Sequence, residues 1–251
     1  MLYCGAMKLG PIALAMGLLG LVPGILAQDT PSTSEWGTRY NNPGAVLVAR
    51  ETGRSLLNGQ TVVAYTLFAS GLPRNLDYIF WSWTAGRPPQ PMSNAFLNDN
   101  GKIICRREDI QKHISEDPIN LKLLGGKGEL KRFALISTDD QYRAFIDIVP
   151  FPFERQSGSC HISVETMVPD YSVVILRANG FLPNEHLIID TKSGDEGRRL
   201  TSDASEQGTY TSVMMPLVKG KSSGKARFDI TSSSCKVGIE FPWGQGAYQM
   251  Q

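Results

Sequence analysis

One local pattern occurs twice in this chain, and it narrows what the chain can fold into. An apolar run ends in Ala-x-Gly, a Leu-Pro and an Asn follow, and a second apolar run leaves. The first copy covers Val63 to Asn75 and then Asp77 to Trp83; the second covers Tyr171 to Asn184 and then Glu185 to Asp190. Gly71 and Gly180 accept positive φ without a Cβ clash, while Pro73 and Pro183 fix φ near about −65° and offer no N–H to a ladder. Such a corner ends one strand and redirects the next. With 25 glycines and 15 prolines in 251 residues, two such corners alone are weak evidence of anything.

A second match, at the far ends of the same stretches, makes the repetition harder to dismiss. Lys131 to Thr138 is followed by Arg143 to Ile148 and Phe151-Pro-Phe153; Ala226 to Thr231 is followed by Lys236 to Phe241 and Pro242-Trp243. Both read as a hairpin of alternating strands closed by Phe-Pro-aromatic. Same order and similar spacing predict a tandem duplication of one β unit. The modules are expected over 43–154 and 155–251.

Within them, β-branched and aromatic clusters between Gly and Asn turns, at Gly53 and Asn58-Gly59 among others, predict strands at Ala45–Ala49, Val62–Phe68, Tyr78–Thr84, a hairpin about Asn100-Gly101, and His161–Met167, Tyr171–Arg177, His186–Thr191, Tyr210–Leu217. Short strands at this spacing, with hardly a helix, indicate an all-β chain of two antiparallel, Ig-like sandwiches. One segment departs. Module one is longer between its corner and its closing hairpin, and the surplus is placed in Arg106 to Asp117, where Ile110 and Ile114 stand at i, i+4 and Pro118 stops the run. That predicts a short surface helix. Lys192 to Gly208 is polar and is expected to be a mobile loop.

The N-terminus reads differently. Lys8 precedes an uncharged small and apolar run from Ile12 to Ala27, the pattern of a secretory signal peptide over 1–27. A span needs about 20 apolar residues, and Pro11, Pro23 and Gly24 interrupt this run. No stable membrane span is expected after cleavage, and the product is placed outside the cell, in the periplasm or on the cell surface. Residues 28–42 are polar and predict a flexible tether; Trp36 and Tyr40 are its exceptions, read as docking on module one or touching a ligand. Losing Lys8 and no acid brings the 25 basic and 24 acidic residues into balance. A nucleic-acid partner, which needs clustered cations, is not indicated. Arg106-Arg107 and Arg198-Arg199 read as solvated faces.

Removing the leader leaves Cys105, Cys160 and Cys235. Cys160 opens the first strand of module two and Cys235 its last, so a bridge between them is predicted. Closing that loop is worth about 4 kcal/mol. Cys105 is then a buried thiol.

Candidate binding residues lie in Tyr78-Ile-Phe-Trp-Ser-Trp83. Alternation puts Trp81 and Trp83 on one face with Ile79, and Tyr78, Phe80 and Ser82 on the other. If the Phe80 side is core, two indoles form an open platform suited to sugar rings or a partner; otherwise the tryptophans are themselves the core. Metal signatures are poor. An EF-hand reading of Asn98 to Lys102 would place Phe96 and Arg107 at ligand positions, so a hairpin turn explains it better. Asp109 and His113, with Glu116 nearby, offer two ligands on one helical face and no third. Gly-x-Ser-x-Gly, phosphate-loop and dinucleotide patterns are missing, and no cofactor is implied.

Gly180-Phe-Leu-Pro-Asn-Glu185 resembles the Gly-Phe-x-Pro-x-Glu turn of Ig-like sandwich modules in bacterial exported and surface proteins. The first corner lacks the Phe and the acid. The resemblance implies an adhesive, accessory or structural role, and no functional residues carry over with it. The expectation is an exported, non-catalytic protein that binds a protein or carbohydrate surface. The alternative is a secreted hydrolase or metal-dependent enzyme using the helical insert or an inter-module cleft.

Overall fold

The computed structural model describes residues 2–3, 36–84, 88–108 and 114–250. The expected signal peptide, apart from Leu2 and Tyr3, and the first part of the tether lie outside them. The chain is all-β: its described residues form antiparallel sheets, with 3-10 turns at Thr38–Tyr40 and Gln245–Met250. They divide into two compact units. One runs to Leu123 and resumes over Arg132–Ile146; the other takes Leu124–Lys131 and everything from Asp147 onward.

The first unit holds β1 Leu2–Tyr3, β2 Val46–Leu57, β3 Gln60–Ser70, β4 Tyr78–Trp83, β5 Gln90–Leu97, β6 Ile103–Glu108, β7 Ile114–Pro118, β8 Asn120–Leu123, β9 Lys131–Ser137 and β10 Arg143–Ile148. Its two sheets have the orders β1-β8-β3-β2 and β10-β9-β4-β5-β6-β7. The second unit holds β11 Glu154–Ser157, β12 Cys160–Thr166, β13 Val174–Asn179, β14 His186–Ser193, β15 Glu196–Asp203, β16 Thr209–Met214, β17 Ser223–Thr231 and β18 Lys236–Gly244. Its orders are β11-β12-β13-β16 and β15-β14-β17-β18. Apart from β1, β6, β7 and β11, the two lists follow one order strand for strand.

The corners also share their geometry. Gly71 has φ +71° and a methyl there would sit 2.0 Å from the Gly44 carbonyl oxygen; Gly180 has φ +90° and its methyl would sit 2.0 Å from the Ser159 carbonyl oxygen. In each case the glycine passes over the backbone just ahead of the neighbouring strand, and only a residue without a Cβ fits. Leu72 and Phe181, the next residues, are buried.

Period-2 burial is cleanest in the second unit. Cys160, Ile162 and Val164 of β12, Val174, Leu176 and Ala178 of β13, Leu187 and Ile189 of β14, Phe228 and Ile230 of β17, and Val237, Ile239, Phe241 and Trp243 of β18 form one core between its sheets. The predicted bridge between Cys160 and Cys235 is present, with Cα atoms 6.2 Å apart, and it ties the two sheets together. Cys105 is free and buried. Segment Leu124–Lys131 joins this unit through backbone: Thr166 N–H donates to Gly128 O and Leu130 N–H to Thr166 O. Tyr171, wholly buried, donates its hydroxyl proton to Lys127 O.

Three expectations are corrected. The helix over Arg106 to Asp117 is replaced, in its described part, by the β6–β7 hairpin, with Arg106 opposite Glu116 and Glu108 opposite Ile114; residues 109–113, His113 among them, lie outside the described ones. A lone helix of that length is marginal in water, whereas a hairpin added to the β5 edge satisfies backbone groups that the edge leaves open. The mobile loop over Lys192 to Gly208 is mostly strand, since β14 and β15 pair from His186 opposite Asp203 to Ser193 opposite Glu196. Polar residues are ordinary there because that hairpin has an exposed outer face. Finally, the turn expected at Gly53 is a bulge between Glu51 and Gly53 within β2, and the chain reverses only at Asn58-Gly59, both at positive φ.

Candidate functional site

Strand β4 carries the predicted binding residues, and it is buried on both faces. Tyr78 and Phe80 are fully buried on one side, where Phe80 stacks on Phe133 at 5.5 Å between ring centroids. On the other side Ile79 and Trp81 join Trp36, Ala134, Ile136 and Phe145 in a separate apolar cluster, with Tyr40 and the half-buried Trp83 packed against it. An unbroken Tyr-Ile-Phe-Trp run suits a strand covered twice.

The cover is the end of the expected tether. Trp36 retains 6% of its surface, meets Phe145 edge-on at 5.2 Å and lies tilted against Trp83 at 6.1 Å. Backbone and amide groups then pin the segment along β10: Phe145 N–H donates to Asn41 Oδ1 at 2.7 Å, Asn42 N–H to Arg143 O at 3.0 Å, and Asn42 Nδ2–H to Gln141 O at 3.0 Å. Residues 36–42 are therefore a docked strap, a correction to the tether in that stretch. An indole is too large an apolar surface to leave in water beside an exposed apolar sheet face.

As a consequence the three predicted residues differ in what they present. Trp81 is 4% exposed and Tyr78 not at all, whereas Trp83 reaches the surface, with the Arg132 guanidinium 4.8 Å from its ring centroid. Tyr78 spends its hydroxyl on the corner, donating to Pro73 O at 2.5 Å. Burial pushes that phenol up to about 12. The indole N–H groups of Trp36 and Trp81 find no acceptor among the described residues. An open pair of indoles is not what this face presents.

The second unit has two concave surfaces that the sequence did not reveal. The outer face of β15-β14-β17 forms a hollow of about 610 Å³ lined by charged residues including Lys192, Arg199 and Arg227. Its acids are already engaged: Arg199 donates to Asp190 through Nε at 2.7 Å and Nη2 at 3.0 Å, and Arg227 to Asp229 at 2.6 and 2.8 Å. The hydrogen bonds from Arg199 hold the Asp190 carboxyl below the usual range. Bidentate pairs of this kind leave neither carboxylate free to act as a base. The other surface is a groove of about 440 Å³ between β15 and β16, walled by Leu200, Tyr210, Met214, Met215 and Leu217, with Phe228 at its floor.

A further carboxylate was missed. Glu185, the acid after the second corner, is buried and accepts hydrogen bonds from Ser233 Oγ at 2.6 Å, Ser234 N–H and Oγ at 2.7 Å, and Leu182 N–H at 2.9 Å. The serine hydroxyls lead in holding its pKa down to about 2. It ties the corner to the loop that carries Cys235, so its work is structural. The signal for it was the acid of the Gly-Phe-x-Pro-x-Glu pattern together with Ser232-Ser233-Ser234.

Among the described residues no three His, Cys, Asp or Glu side chains are gathered as metal ligands. His161 pairs with Glu154 and His186 with Asp203, each at 3.0 Å and far from any third ligand. Glu116 lies 3.7 Å from Arg106. Asn98 serves its own turn, its Oδ1 accepting from the N–H groups of Asn100 and Lys102. No helix among the described residues is long and apolar enough to cross a membrane.

No known family model matches the chain. No curated protein matches it either. Among solved structures, a tetra-tandem repeat from the extending region of a large adhesion protein aligns at 7% identity over 81% of this chain and 74% of that one, with a TM-score of 0.23. A chain from a structure of neurohormone perception by the receptor tyrosine kinase Torso aligns at 5% identity over 78% of this chain and 72% of that one, TM-score 0.22. A DUF3823 family protein from Parabacteroides merdae aligns at 11% over 78% and 95%, TM-score 0.16. Likenesses this low carry no argument about either fold or function.

Proposed function

We propose that this is an exported, non-catalytic protein of two tandem Ig-like sandwich domains, over 43–154 and 155–251, that binds a protein or carbohydrate surface. The observation that carries the reading is the common frame of the two units: β2-β3-β8 with β10-β9-β4-β5 in one, β12-β13-β16 with β18-β17-β14-β15 in the other. Equivalent glycine corners at Gly71 and Gly180 support a duplication behind that frame. The sheet orders suit an antiparallel sandwich. A disulfide within the second unit favours an oxidising compartment, which agrees with the leader-like residues 1–27.

Trp83 is the aromatic residue of β4 with surface to offer, and Trp81 and Tyr78 act through it by holding the strand. Screening the purified chain on glycan arrays and in cell-surface pull-downs tests this. The expected result is a binding signal that Trp83→Ala removes while the far-ultraviolet circular dichroism shows the variant folded at the assay temperature, its melting temperature lowered only by the packing that Trp83 gives the Trp36 cluster. A signal that Trp83→Ala leaves intact removes Trp83 from the site; turnover of any arrayed glycan by the chain overturns the non-catalytic reading.

A further inference from the structure

One turn occurs in both units, and the chain leaves it differently in each. In the first, Gly101 N–H donates to Asn98 O at 2.9 Å and Asn98 N–H to Lys102 O at 3.1 Å; in the second, Gly208 N–H donates to Ser205 O at 2.9 Å and Ser205 N–H to Thr209 O at 2.8 Å. Asn98 Oδ1 and Ser205 Oγ then accept from the N–H groups of Lys102 and Thr209, at 2.9 and 3.1 Å. Beyond this turn the first unit doubles back along β5 as β6, Cys105 opposite Ala95 through Ile103 opposite Leu97, and buries Ile103 and Cys105. The second crosses at once to its other sheet, where β16 pairs with β13 from Thr209 opposite Asn179 to Met214 opposite Val174. The place that β6 fills beside β5 therefore holds no strand beside β15, the last strand of its sheet among the described residues. The groove lies there, and Leu200, Met215 and Leu217 on it are 52%, 72% and 54% exposed.

The filled copy shows what this frame takes at that edge: one antiparallel strand that sends alternate apolar side chains inward. Strand β15 has the backbone for it. Ser193 and Glu196 flank a two-residue loop and form the hydrogen-bonded pair that closes it, so the N–H and C=O groups of Gly197, Arg199 and Thr201 turn toward the open edge. The side chains set the register. Ser202 and Leu200 stand opposite the buried Leu187 and Ile189 and share their face, as Arg198 and Glu196 do opposite Thr191 and Ser193. Arg198 and Glu196 have no ion-pair partner among the described residues. On an antiparallel strand read from its N-terminus, the residues beside Ser202 and Leu200 meet the apolar groove. The next inward residue meets Arg198, and the one after it meets Glu196. Apolar, apolar, acid and base at alternate positions fit this edge, and the reverse charge order sets like charges side by side.

We infer that the second unit takes an extended peptide of a protein partner as an added antiparallel strand on β15, with two alternate apolar residues followed at the same spacing by an acid and a base. The site lies in the other unit from Trp83 and stands without the reading proposed for that residue. The probe is the fluorescein-labelled peptide Val-Thr-Leu-Thr-Glu-Thr-Lys, titrated with the full chain and followed by fluorescence anisotropy. Saturable binding is expected, with a dissociation constant of about 100 μM or tighter. Methylating the amide of the threonine between Leu and Glu, which points at β15, is expected to weaken it at least about tenfold, whereas methylating the Glu amide, which points away, changes it less than about threefold. Arg198→Glu is expected to weaken the probe at least about fivefold and to accept instead the peptide with Lys in place of Glu, which also shows the variant folded. A probe that does not saturate, binding indifferent to which amide is methylated, or a charge exchange without effect would each overturn the proposal. So would a chain that dimerises without peptide and loses the dimer on Leu200→Arg, because the edge then belongs to a second copy.

Discussion

Replacing both Cys160 and Cys235 by alanine isolates what the single disulfide contributes. The bridge spans a sequence separation of 75 residues. In the chain-entropy treatment a loop of that size costs the unfolded chain about 4.5 kcal/mol of conformational freedom at 25 °C. Domains of ordinary size are stable by about 5–15 kcal/mol, so the second unit loses a large part of its margin. At an m-value of about 2 kcal/mol/M, its urea midpoint falls by about 2 M. Alanine at Cys160 also removes a sulfur from a fully buried site. Wild-type chain treated with reductant keeps both sulfurs and gives the loop effect alone. Hydrogen exchange read on β17 and β18 peptides across a urea series reports this unit directly, whereas tryptophan emission mixes Trp243 with three indoles of the first unit. Reduced wild type and double variant are expected to fall together to within about 1 kcal/mol, the scale of losing so small a side-chain volume. A midpoint shift under about 0.5 M in the reduced chain would refute the reasoning, because an unfolded state that gains so little freedom is not the expanded chain assumed.

Three further expectations are within easy reach. Gly71→Ala and Gly180→Ala each place a methyl 2.0 Å from a backbone oxygen at positive φ and are expected to cost at least about 2 kcal/mol, while Gly59→Ala, with φ +80° and nothing within 4 Å, costs only about 1–2 kcal/mol; calorimetric melting of the variants ranks them. Trp36→Ala empties the cover over Ile79 and Trp81, with an expected loss of about 3–5 kcal/mol in the first unit and quicker exchange of the Phe145 amide, whereas Trp81→Phe, losing no hydrogen bond, costs much less. Glu185, held at about 2 against an ordinary 4.5, contributes stability that is complete above 4.5 and lost as pH falls toward 2; Glu185→Gln is expected to flatten the acid limb of the stability profile measured between those values.

How much of this was legible beforehand depended on whether a feature is written in neighbouring residues. The corners were legible because Gly and Pro act on their own φ angles, and both glycines do take the conformation foreseen. The disulfide was legible from two cysteines heading the first and last strands of one module, a bridge if those strands are neighbours or face each other, and the structure puts them on facing sheets. The β6–β7 hairpin was not legible, since Ile110 and Ile114 suggest a helical stripe and nothing local tells that the β5 edge beside them is waiting for a strand. Nor was the burial of β4 on both faces. Alternation assigns Trp81 and Trp83 to a face, but which face meets water depended on Trp36, far away in sequence and inside a stretch whose composition reads as a tether. Glu185 belongs to a legible motif, yet its role rests on Ser233 and Ser234, almost fifty positions on.

The same contrast explains why two copies of one frame need not share a task. A sandwich edge with unpaired backbone groups is an invitation, and each unit answers it with different chemistry. The first spends an inserted hairpin there, buries Ile103, Cys105 and Ile119 beneath it, and folds Trp36 over its outer sheet. Little apolar surface remains on that flank for anything else. The second has no such insert, keeps Leu200, Met215 and Leu217 exposed, and lines the edge with acids and bases.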